Sequence, residues 1–309
     1  MKDAQKLSKR GMTKRTQDII FVSCALFYPL LMFAVFYVYV NFNSIMMAFQ
    51  ERDMYGNKVW VQFQNFAAYF KGMRTDGNII KIAFINSMKK YLIGLIGLPI
   101  TILFAYLLFK KCVGHKFIRA FIMIPQIVSG MVIALMFKKF LDNALPEIME
   151  DIFKVENFPL LISNPETAFG TTVFYSIWIS FALGVIVYCN AMNEIDNEVL
   201  ESARLDGVDN MFYELWYIVL PLIFPSISTF IVTGFAAIFS DGGPILTFFA
   251  DKAPAEVYNM GYYYSVQIMT NNEVTYGVLA AGGLIMTLVI APLTYLIKRL
   301  LEKYGPEVD

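Results

Sequence analysis

This sequence contains few of the residues from which soluble catalytic and metal sites are built. Charged residues make up 16% of its 309 residues, against about 25% in an average soluble domain, which excludes an ordinary soluble fold. Its single histidine, His115, has no cysteine or acid at ligand spacing, so we predict no metal site and no Ser–His–Asp catalytic arrangement. The three cysteines, Cys24, Cys112 and Cys189, are far apart and indicate no disulfide framework.

Two further absences limit the chemistry of the chain and its partners. The sequence has no Gly-x-x-x-x-Gly-Lys-Ser/Thr phosphate loop, so we do not expect this chain to hydrolyse ATP. Its formal net charge is +0, so charge gives no indication of nucleic acid binding. We therefore predict that the chain is not an enzyme, has no catalytic residue and holds no cofactor of its own.

Apolar and aromatic residues dominate instead. Hydrophobic residues reach 57% and aromatic residues 16%, which is typical of lipid-facing helical bundles. Six stretches approach the length of about 20 apolar residues that a helix needs to cross a bilayer. They lie at about 19–40, 86–109, 120–137, 169–192, 218–249 and 276–297. The sequence therefore predicts an all-α, polytopic membrane protein with a basic tail at 1–18 and one transmembrane domain at 19–309.

The positions of the basic residues predict how these spans are oriented. Lysines and arginines precede the first span, fill a short loop after the second span, and follow the sixth span. Because such residues concentrate on the cytoplasmic side, both termini are predicted to be cytoplasmic. The acid-rich sequence between the third and fourth spans is expected outside. Lys89 and Lys90 are expected at the outer end of the second span, with side chains that reach the membrane surface.

The fifth span is interrupted by Asp241-Gly242-Gly243-Pro244. Proline removes a helical donor and glycine frees the backbone, so we expect the helix to unwind there. A carboxylate at membrane depth usually faces a pathway or a partner, and transporters build substrate sites from broken helices. The alternative is that the span ends at Ser240 and the four residues form an ordinary external turn.

A hydrophilic stretch, 197–217, lies between the fourth and fifth spans. Its first part, 197–205, favours a helix, with Asn197 as the N-cap and two glutamates in the first turns, where the helix dipole favours negative charge. Asp206-Gly207 then predicts a turn, because glycine adopts backbone angles that a side chain disfavours. The sequence therefore predicts a short polar helix and a sharp turn at one membrane face, suited to docking against another protein.

Residues of this stretch resemble the coupling motif of ABC importer permeases, whose pattern runs EAA…DGA…LP. The matching residues are Glu201-Ser202-Ala203, Asp206-Gly207 and Leu220-Pro221. The resemblance implies a coupling helix that sits in a cleft of a cytoplasmic ATPase. The residues implied in this contact are Glu198, Glu201, Ser202, Ala203, Asp206 and Gly207. The sequence departs from the pattern at Ser202 and Val208, where alanine is usual, and in a Gly-to-Pro gap that is one residue longer.

Further motifs resemble the carbohydrate branch of type I permeases, which includes maltose and glycerol-phosphate uptake systems. They are Asn86-Ser87, Ile124-Pro125, Ser163-Asn164-Pro165, Trp178 and Tyr276-Gly277. In maltose-type permeases the sugar contacts positions after the Ile-Pro, after the tryptophan and in the outer part of the fifth span. The residues implied here are Gln126, Gly130, Ser180, Phe181, Phe239, Ser240 and Asp241. Asp241 is also selected independently, as the carboxylate at the interruption of the fifth span.

The resemblance implies a bacterial inner-membrane subunit that moves a sugar or oligosaccharide into the cytoplasm by alternating access. The implied partners are a second permease subunit, usually a different chain, two ABC ATPase subunits that bind ATP and Mg²⁺, an extracellular solute-binding protein and membrane lipid. ABC permeases for other small solutes share the coupling motif, so another cargo stays open. An ion-coupled secondary transporter is a further alternative, although that class is expected to have internal repeats and several acids within its spans, and the sequence shows no repeat and only one such acid.

Overall fold

The computed structural model describes residues 14–53, 57–155, 158–270 and 275–306. Residues 1–13, which supply most of the predicted basic tail, lie outside this range. Helices form nearly all of the regular structure, as the all-α prediction expected. A short antiparallel sheet pairs β1 (Gln50–Arg52) with β2 (Lys58–Trp60).

The helices are numbered here in chain order. They are α1 (Lys14–Ala48), α2 (Gln64–Arg74), α3 (Ile79–Phe109), α4 (His115–Ile127), α5 (Gly130–Asp151), α6 (Pro165–Asn193), α7 (Asn197–Leu205), α8 (Met211–Ala236), α9 (Ile245–Phe249), α10 (Met260–Met269) and α11 (Tyr276–Tyr304). Five of them, α1, α3, α6, α8 and α11, are long and apolar enough to cross a membrane. The bent pair α4 and α5 makes a sixth span if the two helices cross together, which matches the predicted number.

Asparagine caps explain where several helices begin. Asn78, Asn164 and Asn210 stand just before α3, α6 and α8, and each side chain accepts a hydrogen bond from the N–H two residues later, at 2.9–3.0 Å. These bonds satisfy N–H groups that a helix start otherwise leaves free. The second and fifth spans therefore begin earlier than the predicted residues 86 and 218, and the predicted loop 197–217 is helical again from Met211.

The third span, predicted at 120–137, corresponds to two helices and not to one. α4 and α5 are bent by 101° at their junction. Val128 has extended backbone angles, φ −81° and ψ 142°, so the helical ladder stops at Ile127. Pro125 cannot donate a helical hydrogen bond, and Ser129-Gly130 then starts α5 with residue types favoured at helix starts.

The first helix stands largely apart from the rest of the chain. The most apolar window of α1 is 0% buried by the other described residues. α1 contacts the rest of the chain near its C-terminal end. There Ala48 is buried, and the Ala48 carbonyl accepts a hydrogen bond from Asn65 Nδ2 at 3.0 Å. The helix extends to Ala48, beyond residue 40, its predicted end.

The other long helices pack closely at both ends of the molecule. Near the α7 end, a core that includes Tyr106, Val185, Met192 and Val219 joins α3, α6 and α8. At the opposite end, a second core joins α2, α3, α10 and α11. These two cores hold the ends of the long helices, on which the candidate functional residues lie.

Candidate functional site

The helix α7 lies on the surface between α6 and α8. Its buried side chains are Leu200 and Ala203, which are three residues apart and therefore on one face of the helix. Leu205, at its last position, is 90% exposed although it is apolar. The helix is thus anchored on one side and presents the rest of its surface outward.

The turn after α7 is a Schellman motif. Gly207 has φ +92°, and its N–H donates to the carbonyl of Arg204 at 3.1 Å. The N–H of Val208 donates to the carbonyl of Ala203 at 3.0 Å, which completes the pair of bonds that defines the motif. No atom lies within 4 Å of the position that a Cβ at Gly207 would occupy. Glycine is therefore favoured here by its backbone angles, not by a lack of space.

The start of α7 differs from the prediction. The helix covers the predicted residues, Asn197–Leu205, but Asp196 occupies the N-cap and makes no side-chain capping bond. Asn197 is already the first helical residue, so the prediction that it caps the helix is wrong. Negative charge is still present at this end, because Glu198 lies in the first turn.

The six residues implied in coupling fall into an exposed set and one buried residue. The exposed residues are Glu198, Glu201, Ser202, Asp206 and Gly207. Ala203 is 7% exposed and belongs to the anchoring face. The Ser202 hydroxyl donates to the carbonyl of Val199 at 3.0 Å, within the helix itself. Their role in coupling stays a prediction.

An ionic cluster around the buried Glu214 connects α7 to two spans. Sequence reasoning missed this cluster. Glu214, near the start of α8, is 4% exposed. Lys110 Nζ, just after α3, donates to its two carboxylate oxygens at 2.6 and 2.9 Å, and the Tyr106 hydroxyl donates to Oε1 at 3.3 Å. Arg204 of α7 lies 4.0 Å from Glu214 Oε2. One carboxylate therefore connects the ends of α3, α7 and α8, a contact for which the sequence carried no local signal.

The interruption of the fifth span lies at the opposite end of α8. The helix ends at Ala236, four non-helical residues Asp241–Pro244 follow after a turn, and α9 then continues the apolar run. We call Asp241-Gly242-Gly243-Pro244 the break. Asp241 Oδ1 accepts a hydrogen bond from the Gly243 N–H at 2.8 Å, which holds the turn from within.

Lys90 is the ionic partner of the break. Its Nζ lies 2.7 Å from Asp241 Oδ2, although the two residues are 151 positions apart. The Lys90 side chain is 21% exposed. The prediction that Lys90 reaches the membrane surface is therefore wrong: α3 begins at Ile79, so Lys90 lies well inside the helix, whereas Lys89 is exposed.

The segment that follows the break is held by the Asn86-Ser87 motif of α3. Asn86 Nδ2 donates to the carbonyls of Glu256 and Tyr258 at 2.7 and 2.9 Å, and the Ser87 hydroxyl accepts from the Met260 N–H at 3.0 Å. Asn259 Nδ2, in turn, donates to the carbonyl of Gly242 at 3.2 Å. These bonds fix the path of the chain after the break against the second span.

The helices α3, α6 and α8 enclose a cavity of about 400 Å³, which we call the central cavity. Three of the seven predicted substrate residues line it, namely Ser180, Phe181 and Asp241. Lys90 also lines it, so the ion pair lies at its wall. The cavity combines apolar surface with a few polar groups, as small-molecule sites do.

The structure places the other four predicted substrate residues elsewhere. Phe239 and Ser240 line a second cavity of about 750 Å³ between α8, α10 and α11. Phe239 is 6% exposed and stacks on Phe84 with ring centroids 4.9 Å apart, so it contributes to packing. Gln126 Nε2 donates to the carbonyl of Ile179 at 3.1 Å, and Gly130 begins α5. Substrate contact stays a prediction for all seven.

Among the residues that the structure describes, no three His, Cys, Asp or Glu side chains are grouped closely enough to hold a metal ion. The chemistry available at the central cavity is that of hydrogen bonding, ionic contact and aromatic stacking.

Comparisons with known sequences match most of the chain to transport proteins. The family model for binding-protein-dependent transport system inner membrane components matches residues 97–304. The chain is 25% identical over 288 residues to the multiple sugar-binding transport system permease protein MsmF of Streptococcus mutans, with 89% of this chain and 93% of that protein covered. It is 23% identical over 236 residues to the galactooligosaccharides transport system permease protein GanP of Bacillus subtilis, with 71% and 56% covered.

Solved structures share the architecture. A chain of a bacterial ABC transporter involved in the import of the acidic polysaccharide alginate superposes with a TM-score of 0.74 at 18% identity, covering 94% of this chain and 99% of that chain. A chain of the alginate ABC transporter in complex with an alginate pentasaccharide-bound periplasmic protein gives a TM-score of 0.69 at 19% identity, with 93% and 94% covered. At these identities the likeness establishes the fold.

Proposed function

The chain belongs to the family of binding-protein-dependent transport system inner membrane components, and we propose that its cargo is a sugar or oligosaccharide. It is a multi-pass permease subunit of an ABC importer, not an enzyme. Such a transporter also includes a solute-binding protein. The proposed mechanism is alternating access, in which ATP and Mg²⁺ bound to partner ATPases drive the reorientation of the spans.

The exposed position of helix α7, which ends in a Schellman turn, is the observation that supports a role in coupling. It lies between two spans, buries two side chains and presents its acidic residues and Leu205 outward. The Arg204–Glu214–Lys110 contacts give a displacement of α7 a direct route to the ends of α3 and α8. Docking of an ATPase on Glu198, Glu201, Ser202, Asp206 and Gly207 would therefore act on the spans that line the central cavity.

The proposed orientation places α7 in the cytoplasm, together with both termini. The Lys110–Glu214 pair locates the basic loop after α3 on the same side as α7. Gly305, just after α11, lies against Phe224 midway along α8, whereas Ile290 earlier in α11 lines a cavity with Ala236 at the far end of α8, so α11 runs toward the α7 side. Basic residues on one side support a cytoplasmic assignment for that side.

Two observations support the proposal of a sugar cargo, namely the names of the relatives and the lining of the central cavity. The relatives named above are described as permeases for multiple sugars and for galactooligosaccharides. The cavity offers hydroxyl groups that hydrogen-bond to sugar hydroxyls, and the ring of Phe181 for stacking. Its volume falls at the lower end of the range for small-molecule sites, about 300–1,000 Å³.

The proposed assembly contains a second permease subunit, a different chain, and two ATPase subunits. Six spans enclose part of a pathway, and the most apolar window of α1 is 0% buried by the described chain. That surface is available to a second permease subunit as well as to lipid.

Affinity purification of the chain from its native membrane, with mass spectrometry of the bound proteins, tests the assembly. We expect an ATPase, a second six-span protein and a solute-binding protein with sugar specificity. Recovery of the chain alone, in detergent that keeps a reference ABC importer whole, would contradict the proposal. A binding protein specific for another solute would retain the permease and change the cargo.

A charge reversal on α7 tests the coupling role. Glu201→Lys should insert normally and lose the copurifying ATPase, because a base replaces one of the acids of the exposed docking surface while the spans are untouched. Glu194→Lys, an exposed acid just after α6 and outside the motif, is the matched control and should retain the ATPase. Equal ATPase recovery from both variants would remove the coupling assignment.

A further inference from the structure

We propose that the central cavity is selective for uncharged sugars over acidic sugars, and that the Lys90–Asp241 ion pair sets this selectivity. The inference rests on the proposed function and narrows its cargo class. The solved structures that share the fold belong to an importer of an acidic polysaccharide, but at 18–19% identity they carry no information about charge selection here.

The wall of the central cavity carries one cation and one anion, and these two groups are paired. Among the described residues that line the cavity, Lys90 and Asp241 are the charged ones, and their charged atoms are 2.7 Å apart. A pair at this distance contributes no net charge to the cavity. The other polar side chains of the wall are neutral hydroxyls: Ser87, Tyr91, Thr101, Ser176, Ser180 and Tyr188.

Such a wall suits a neutral ligand rich in hydroxyl groups. The ammonium group of Lys90 donates hydrogen bonds and the carboxylate of Asp241 accepts them. The hydroxyls of Tyr91, Thr101 and Ser176 donate to backbone carbonyls and so offer a ligand acceptors. The hydroxyls of Ser180 and Tyr188 can donate as well as accept. The rings of Tyr91, Phe181 and Phe230 offer faces for the C–H side of a sugar. A neutral sugar therefore finds donors, acceptors and stacking surface with no charge left over.

An acidic sugar would add a negative charge that no free cation of the cavity wall offsets. Its carboxylate would have to compete with Asp241 for Lys90, and binding would leave a net negative charge in a partly apolar cavity, which is costly. Asp241 cannot easily withdraw, because its other oxygen accepts the Gly243 N–H at 2.8 Å and the carbonyl of Gly242 is held by Asn259. The ion pair therefore disfavours anionic cargo by occupying the cation that such cargo needs.

Substitutions of Lys90 and of Asp241 should change the preference between neutral and acidic sugars in opposite directions. Asp241→Asn keeps an acceptor for the Gly243 N–H and leaves Lys90 unpaired, so affinity for acidic sugars should rise relative to neutral sugars by about tenfold. Lys90→Gln leaves Asp241 unpaired, so acidic sugars should be excluded more strongly than by the parent. The double variant should return to the preference of the parent. Asp76→Asn removes the exposed Lys81–Asp76 ion pair, which lies outside the cavity, and should change nothing.

The experiment measures binding to the assembled permease–ATPase complex without the solute-binding protein, so that the selectivity of that protein does not enter. Thermal stabilisation of the detergent-solubilised complex is recorded against matched oligosaccharide pairs that differ in the C6 group, hydroxymethyl or carboxylate, in gluco, galacto and manno series. Ligand-induced stabilisation reports the dissociation constant. Uptake of the same sugars by the complete transporter is measured in parallel.

The expected result is preference of the parent for the neutral member of a pair, with opposite shifts in the two single variants. Equal binding of both members by the parent, or an unchanged ratio in both single variants, would overturn the inference while leaving a sugar permease intact. If no sugar of either kind binds or is taken up, the proposed function itself fails, and the inference fails with it.

Discussion

The turn after α7 and the break both separate helices of the chain, but the two turns are held in place in different ways. The bonds that shape the end of α7 join Ala203, Arg204, Gly207 and Val208, all within six residues of sequence. The break is held mainly from afar, by Lys90 of α3 and by the segment after it, which Asn86 and Ser87 fix.

The two turns therefore depend on the rest of the protein to different degrees. A turn closed by its own backbone hydrogen bonds depends less on the packing of other helices, so substitutions there should change docking more than stability. A turn held by distant helices depends on their packing, so substitutions there should change stability and function together. The two regions therefore allow the two effects to be measured separately.

The largest expected effect is the loss of coupling in Gly207→Pro. Proline cannot adopt φ +92° and lacks the N–H that bonds to Arg204, so the Schellman turn is lost. We expect copurification of the ATPase to fall to background while the amount of chain in the membrane is unchanged. The matched control is Gly77→Pro, because Gly77 also has positive φ, +74°, with open space around it. Loss of the ATPase in the control as well would show that the effect is not specific to α7.

The ionic cluster at Glu214 gives the next largest effect. Glu214→Ala leaves Lys110 partly buried without its counter-charge, which should destabilise the protein by about 3–5 kcal/mol. Thermal unfolding in mild detergent measures the loss. The exchange Lys110→Glu with Glu214→Lys should recover part of it, whereas Glu302→Ala, which breaks the exposed Lys298–Glu302 pair, should cost about 0.5 kcal/mol or less. Parent-like stability of Glu214→Ala would contradict the prediction.

A smaller effect is expected where α10 touches the break. A Cβ at Gly261 would lie 2.4 Å from the Gly242 nitrogen and 2.7 Å from the Ser240 carbonyl oxygen, so Gly261→Ala must displace backbone. We expect a loss of about 1–3 kcal/mol, measured by thermal unfolding, together with weaker sugar binding. Gly170→Ala, a helical position with open space around it, is the control. Equal stability of the two variants would show that the break tolerates movement.

The smallest effect compares two asparagines at helix starts. Asn164→Ala removes a capping bond of 3.0 Å to the Glu166 N–H and should cost about 1 kcal/mol. Asn197→Ala removes no capping bond and should cost less than about 0.5 kcal/mol. Thermal unfolding of both variants checks the order, and a larger loss at Asn197 would restore the cap that the sequence predicted there.

Local signals made much of this fold predictable. The polar sequence between two apolar spans predicted α7 with its bounds, and Asp206-Gly207 predicted the turn that follows. An interruption after α8 was also predicted, from glycine and proline, but the helix ends at Ala236, before Asp241 and before Ser240, the end in the alternative prediction. The 101° bend between α4 and α5 was missed, because the predicted span continued through Pro125 and Ser129-Gly130, which are residues typical of a helix break.

The candidate site was less predictable because its contacts join distant parts of the chain. Asp241 stood out in the sequence, but its partner Lys90 lies 151 residues away and resembled a lysine at a helix end. The contact of Phe239 with Phe84 could not be predicted either, because the two residues are far apart in the sequence. Glu214 followed a polar loop, so nothing in the sequence marked it as buried.

The local closure of the α7 turn also has a consequence for the thermodynamics of assembly. A segment that folds on binding loses conformational entropy at that moment, which weakens the association and adds a heat-capacity change beyond that of the interface. The helix α7 has its C-terminal bonds formed and Leu200 and Ala203 already buried before any partner arrives. The ATPase in the proposed importer would therefore bind a preformed surface, and its association rate would be limited by encounter and orientation instead of by folding.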